Sequence, residues 1–190
     1  MTLLPSRRSG YKGPVLHHDL DGGAALSPFE PWRAAELAAH VERHRAHLEP
    51  WLPWARRIVD VPTAREFLQG YADRLARDEA RVLALDLHGG LVGGVAFRTF
   101  DADAGTCELG VWIAPEASGR GLVTRACQAM IGWACGTRGI RRVEWRAVPG
   151  NARSLAVAAR LGMTREGVLR SAVRDGDTRD DLEIWALTRA

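Results

Sequence analysis

Glu108-Leu-Gly-Val-Trp-Ile-Ala-Pro-Glu-Ala-Ser-Gly-Arg-Gly-Leu-Val-Thr124 is the stretch from which the fold is read. It begins as a strand, turns at Gly119-Arg120-Gly121, and opens directly into an amphipathic helix. The two glycines let the backbone take unusual φ angles and approach a ligand closely. The first N–H groups of a helix have no partner inside it, and the helix dipole adds partial positive charge there. Such a turn is an anion site, and a pyrophosphate is its natural guest. A dinucleotide turn would need a third glycine where Thr124 stands, inside an early strand–helix–strand unit. A phosphate loop of the Gly-Lys-Ser/Thr kind is excluded because no lysine lies here.

Downstream of this turn a helix is expected over about 119–137. Leu122, Val123, Ala126, Cys127, Met130, Ile131 and Ala134 form its apolar face. Residues 142–147 alternate as a strand. A short helix follows Asn151 and stops at Gly162, and two strands, near 165–173 and 181–187, flank Asp175-Gly176-Asp177. Upstream, 81–87 and 91–100 read as a hairpin about Gly89-Gly90, followed by a strand over 107–113. Two helices precede them, over about 31–48 and 63–78, the second with Thr63 and Glu66 as a capping box. The order is helices, three strands, helix, strand, helix, two strands: an α/β (mixed α+β) chain with one sheet and helices on its faces.

The 190 residues, 46% hydrophobic and 26% charged, are one ordinary globular domain. Residues 1–14, with Pro5, Gly10, Gly13 and Pro14, read as a flexible lead-in, and 15–190 as the domain. A net charge of +3 does not argue for nucleic acid. The basic residues are arginines except Lys12, which fits a GC-rich coding sequence. Short apolar runs and an N-terminus lacking an apolar core predict no membrane span and no secretory leader. Cys107, Cys127 and Cys135 read as reduced thiols of a cytoplasmic protein.

The turn and its surroundings resemble the GNAT N-acetyltransferase superfamily, whose signature is Gln/Arg-x-x-Gly-x-Gly/Ala. Here Ser118 and Val123 depart from it while Gly119-Arg120-Gly121 is intact. The likeness is closer to the RimJ/RimL ribosomal-protein acetyltransferase branch. That branch shares Gly121-Leu-Val-Thr-Arg-Ala-Cys127, the tryptophan pattern ending in Trp51-Leu-Pro-Trp54, and Asn151-Ala-Arg-Ser154 with Arg160-Leu-Gly-Met163 and Arg165-Glu-Gly-Val-Leu169. It spans about residues 15–188. The resemblance implies a single mixed, mostly antiparallel sheet, splayed between its fourth and fifth strands, with helices on both faces. It implies acetyl-CoA as co-substrate. The pantetheine arm would pair along Trp112, Ile113 and Ala114. Ser118, Gly119, Arg120, Gly121, Leu122, Val123 and Thr124 would hold the pyrophosphate, and Asn151 the arm. A homodimer is common among such relatives.

Many family members place a tyrosine seven residues after the asparagine as the acid for the departing thiolate, but that position is Ala158. The RimL-like branch uses the serine at position 154 instead. Ser154 is then either that acid or a helix cap, and Asn151 either a cofactor contact or an N-cap. Glu108, which alternation puts on one face with Gly110 and Trp112, is either the base that frees the acceptor amine or a solvated strand-end carboxylate. Trp51 and Trp54 either line the acceptor groove or pack the second helix under the sheet. His40, His44 and His47 read as a solvated helix face, because no third ligand stands at metal spacing. The function expected is acetyl transfer by direct attack of a primary amine, on a protein N-terminus or a small molecule. The alternative is a non-catalytic coenzyme A sensor. Neither a metal nor a cysteine nucleophile is expected.

Overall fold

A computed structural model describes residues 17–189, apart from the side chain of Asp175. The lead-in proposed for 1–14 lies outside them. The described chain opens with two strands that the sequence pattern did not suggest, β1 (His18–Asp19) and β2 (Ala24–Pro28). Ala-Ala-Leu-Ser-Pro is too short and too weakly alternating to stand out, yet it pairs along its whole length with β3 (Arg81–Leu87). Between them lie α1 (Ala34–Leu48), entered through a 3-10 turn at Pro31–Arg33, and α2 (Val61–Ala76).

The cap of α2 corrects one expectation. Its N-cap is Asp60, whose carboxylate accepts from the Thr63 amide at 2.8 Å, while the Thr63 hydroxyl accepts from the Asp60 amide. Thr63 thus sits three residues inside the helix, in the place Glu66 was expected to fill. Asp60→Ala is expected to cost about 1 kcal/mol in urea unfolding. Glu66→Ala should cost nothing measurable; equal losses would reject this cap.

β4 (Gly90–Asp101) and β5 (Thr106–Ile113) continue the antiparallel run. After a 3-10 turn at Pro115–Ala117 comes α3 (Leu122–Arg138). It buries Leu122, Ala126, Cys127, Met130, Ile131 and Ala134, and ends at left-handed Gly139. β6 (Arg142–Ala147), α4 (Ala152–Arg160), β7 (Thr164–Asp175) and β8 (Thr178–Thr188) complete the chain. Among the described residues the eight strands form one sheet in the order β1-β2-β3-β4-β5-β6-β8-β7. Only β5 and β6 run parallel.

Two cores sandwich this sheet. On one face α1 and α2 bury Leu37, Val41 and Leu68 against Val82, Ala84, Ala96 and Trp112. On the other, α3 and α4 cover Leu85, Phe97, Leu109, Val143 and Trp145. Each buried Val, Leu or Phe among them contributes roughly 1.5–3 kcal/mol by leaving water. The Trp112 ring lies flat on β4 because position 94 is glycine: a Cβ there would meet the ring at 2.2 Å.

The β5–β6 pair is short. Its rungs are Thr106 with Arg142, Cys107 with Val143 and Glu108 with Glu144, and there the pairing ends. Beyond Glu108 the two strands diverge; this splay was expected between the fourth and fifth strands and falls between the fifth and sixth because the two-residue β1 opens the count.

Candidate active site

The residues at the divergence come from both layers. β5 runs from Glu108 past Trp112 and Ile113 to Ala114, with no described partner on its β6 side. Its other side is paired to β4, and the Ala114 amide donates to the Val92 carbonyl at 2.7 Å. The chain then turns through Ser118, whose hydroxyl donates to the Ala114 carbonyl at 3.2 Å. Ser118, a departure from the family pattern, therefore shapes the loop.

Gly119 and Gly121 have φ of +78° and +70°, in the left-handed region. Gly121 is the N-cap of α3, and no side chain caps this helix. The free amides of its first turn, at Leu122, Val123 and Thr124, thus begin a 17-residue helix with no side-chain cap among the described residues. That suits a pyrophosphate. The Arg125 guanidinium, which drew no attention in the sequence, braces the turn. Its Nε donates to the Leu20 carbonyl at 2.9 Å and its Nη1 to the Arg120 carbonyl at 3.1 Å.

Glu108 is 9% exposed, which rejects the solvated alternative. Arg98 Nη1 donates to its Oε1 at 2.8 Å, and Arg146 Nε lies 3.8 Å from its Oε2. Arg98 is the extra residue of a bulge between Phe97 and Thr99. A bulge re-aims a side chain, and no local pattern announces one. Tyr71 of α2 belongs to the same surroundings. Burial raises its phenol above the ordinary range against the pull of Arg98 and Arg74.

On the other face stand Asn151 and Ser154. Asn151 is the N-cap of α4, its Oδ1 accepting from the Ser154 amide at 3.1 Å. The capping alternative therefore holds, and the Asn151 Nδ2 has no described partner. The Ser154 hydroxyl accepts from the Trp145 indole at 2.9 Å. The divergence is thus flanked by a carboxylate on the α1/α2 face and a hydroxyl on the α3/α4 face.

The tryptophans separate. Trp54 is half-buried and packs on Phe67 and Trp112, with ring centroids 4.9 and 5.1 Å away, against the α1/α2 core. Trp51 is 41% exposed and lies against Gly150, one residue before Asn151. A second expectation fails at the histidines. His40 and His44 are buried, their rings 4.8 Å apart, because that side of α1 faces the sheet and the Pro115–Ala117 turn. Burial, with His44 adding to it, pushes the His40 imidazole down to about 4, so it is neutral. His44 Nε2 reaches the Glu116 carboxylate at 3.4 Å.

Residues 26–164 match the Acetyltransferase (GNAT) domain family. The chain belongs to the GNAT acetyltransferase family. Among curated relatives of this acetyltransferase, the putative ribosomal N-acetyltransferase YdaF of Bacillus subtilis is 32% identical over 84% of the chain and 88% of its own length. The ribosomal-protein-serine acetyltransferase of Escherichia coli is 26% identical over 76% and 80%. In fold, the GNAT chain is similar to RimL, the ribosomal L7/L12 alpha-N-protein acetyltransferase solved with coenzyme A. The TM-score is 0.85 at 21% identity, over 90% of this chain and 97% of that one. The microcin C7 self-immunity acetyltransferase MccE, solved with acetyl-CoA and AMP, gives 0.84 at 22% identity over 90% and 94%.

Proposed function

We propose that this acetyltransferase moves the acetyl group of acetyl-CoA to a primary amine by direct attack on the thioester, and that the amine is a protein N-terminus. The observation that carries this is the three-rung β5–β6 pair, which opens beside an uncapped helix N-terminus. The amides of 119–124 would hold the pyrophosphate, and the open edge of β5 at Trp112, Ile113 and Ala114 would pair with the pantetheine arm. The Asn151 Nδ2 remains as a donor to that arm. The acceptor class is supported by the names of the ribosomal relatives from Bacillus subtilis and Escherichia coli.

The side chains then divide the proton work. An α-amino group with a pKa near 8 is largely ammonium at pH 7. Glu108, through water, takes its proton as nitrogen attacks. Backbone N–H groups stabilise the oxyanion. Ser154 supplies a proton to the departing sulfur. No acetyl-enzyme is needed, and the thiols are poor candidates for one. Burial pushes Cys107 up to about 12 and Cys127 higher still, so both are protonated at neutral pH.

Ser154→Ala is expected to lower kcat on the order of 10²-fold with acetyl-CoA affinity unchanged. It also strips the acceptor from Trp145, at roughly 1–3 kcal/mol of stability. A stability loss with full turnover would make the hydroxyl structural. The reading as a whole is tested by thiol release from acetyl-CoA with N-terminal-serine peptides, polyamines and aminoglycosides. Release with a peptide is the expected result. Release only with a small amine would move the acceptor, and tight coenzyme A binding without release would make the chain a sensor. The reading places the enzyme in the cytoplasm, as a homodimer, with no part played by nucleic acid; no helix of the described residues is long and apolar enough to cross a membrane.

A further inference from the structure

Trp145 is the first residue of β6 past the last rung shared with β5, and it is 2% exposed. Its indole N–H is donated to the Ser154 hydroxyl at 2.9 Å. This bond is not a necessity of burying a tryptophan here. The indole N–H groups of Trp112 and Trp133 are also buried, and neither has a partner among the described residues. The hydroxyl, for its part, has no described acceptor for its own proton. Its oxygen is occupied on one side by a fixed donor, and its backbone is pinned by Asn151. A hydroxyl that accepts a hydrogen bond becomes a better donor, because successive bonds polarise one another.

We propose that Trp145 is a positioning residue for acetyl transfer, fixing Ser154 so that its proton points to the departing sulfur. The inference rests on Ser154 being the donor. The C–S bond breaks and its electron pair stays on sulfur. The Ser154 proton moves to that sulfur, giving the free thiol. Serine regains a proton from solvent water. Trp145 keeps its own proton throughout and strengthens the donor by lending a hydrogen bond to its oxygen.

The test uses the full chain and coenzyme A itself, so it needs no acceptor. The thiolate of bound coenzyme A is followed by its ultraviolet absorbance as pH is raised. In the unaltered protein the bound thiol should titrate below the free thiol range near 8.5. Trp145→Phe, which keeps an aromatic ring and removes the N–H, should move that titration up by about half to one pH unit, the size of one hydrogen bond. Ser154→Ala should move it at least as far, and the double variant no further than Ser154→Ala. With a working amine, Trp145→Phe should lower kcat about 3- to 10-fold with KM for acetyl-CoA unchanged. A measurement on the unaltered chain guards against a variant that does not fold. The ¹⁵N-labelled Trp145 indole resonance should shift with coenzyme A and not with desulfo-coenzyme A. If Ser154→Ala moves the titration and Trp145→Phe does not, or if both ligands shift the indole alike, the positioning role is overturned. If Ser154→Ala also leaves the titration unmoved, the donor role of Ser154 falls with it.

Discussion

Gly121→Glu is expected to abolish acetyl-CoA binding in a protein that still folds. Residue 121 has φ of +70° and caps α3. A side chain there costs roughly 1–2 kcal/mol of backbone strain, which a domain of this size tolerates. An added Cβ meets only the Arg125 Nη1, at 3.3 Å, the end of a flexible side chain. The new carboxylate would sit at the positive end of the helix and take up the very amides a phosphate needs. It would also repel the pyrophosphate. Lost N–H contacts and like charge together should weaken binding at least about 10²-fold, on the order of 3 kcal/mol. Isothermal titration with circular dichroism on the same sample decides the matter. A folded variant with unchanged affinity would show that the anion site lies elsewhere.

Glu108→Gln should cut turnover by about 10²- to 10⁴-fold near pH 7, the range of a positioned base. The amide keeps the shape of the side chain and an oxygen for Arg98, so fold and acetyl-CoA affinity should be retained. The pH dependence carries the argument. Below the amine's pKa the acceptor is mostly ammonium and needs a base. As pH rises through about 8 it loses the proton unaided, so the deficit should shrink. A deficit that stays constant with pH would give the carboxylate a binding role. No deficit would leave proton removal to water or to groups of α1 and α2.

How far the site could be read from the residues alone depended on whether its partners are neighbours in sequence. The Gly119-Arg120-Gly121 turn, α3, β6 and α4 are local patterns and stand close to where the sequence put them, α3 starting three residues later than expected because both glycines are left-handed. β2 was missed because its order comes from pairing with β3, more than fifty residues away. His40 and His44 have the spacing of a polar face, and only the turn leading to Gly119 shows that the face is covered. Arg98 reaches Glu108 through a bulge, which breaks the two-residue period that sequence reading relies on. Trp145 counted only as an apolar position of a strand. Its acceptor, Ser154, stands nine residues on in the next helix, and Trp112 and Trp133, whose indole N–H groups are buried without one among the described residues, show that burial alone does not announce such a pair.

Arg98 and Arg146 flank Glu108 where β5 and β6 part, and Arg120 and Arg125 belong to the turn beside it. No lysine lies among residues 17–189, since the single lysine of the chain is Lys12. A guanidinium stays protonated at any physiological pH and has no lone pair to offer an electrophile. Under the proposed reaction, positive charge then stands near the thioester without a side-chain amine among these four residues. A lysine at any of these positions would be a rival for the acetyl group, and its modification would erase the charge it was there to supply. With arginine, these four side chains offer no amine to compete with the incoming one.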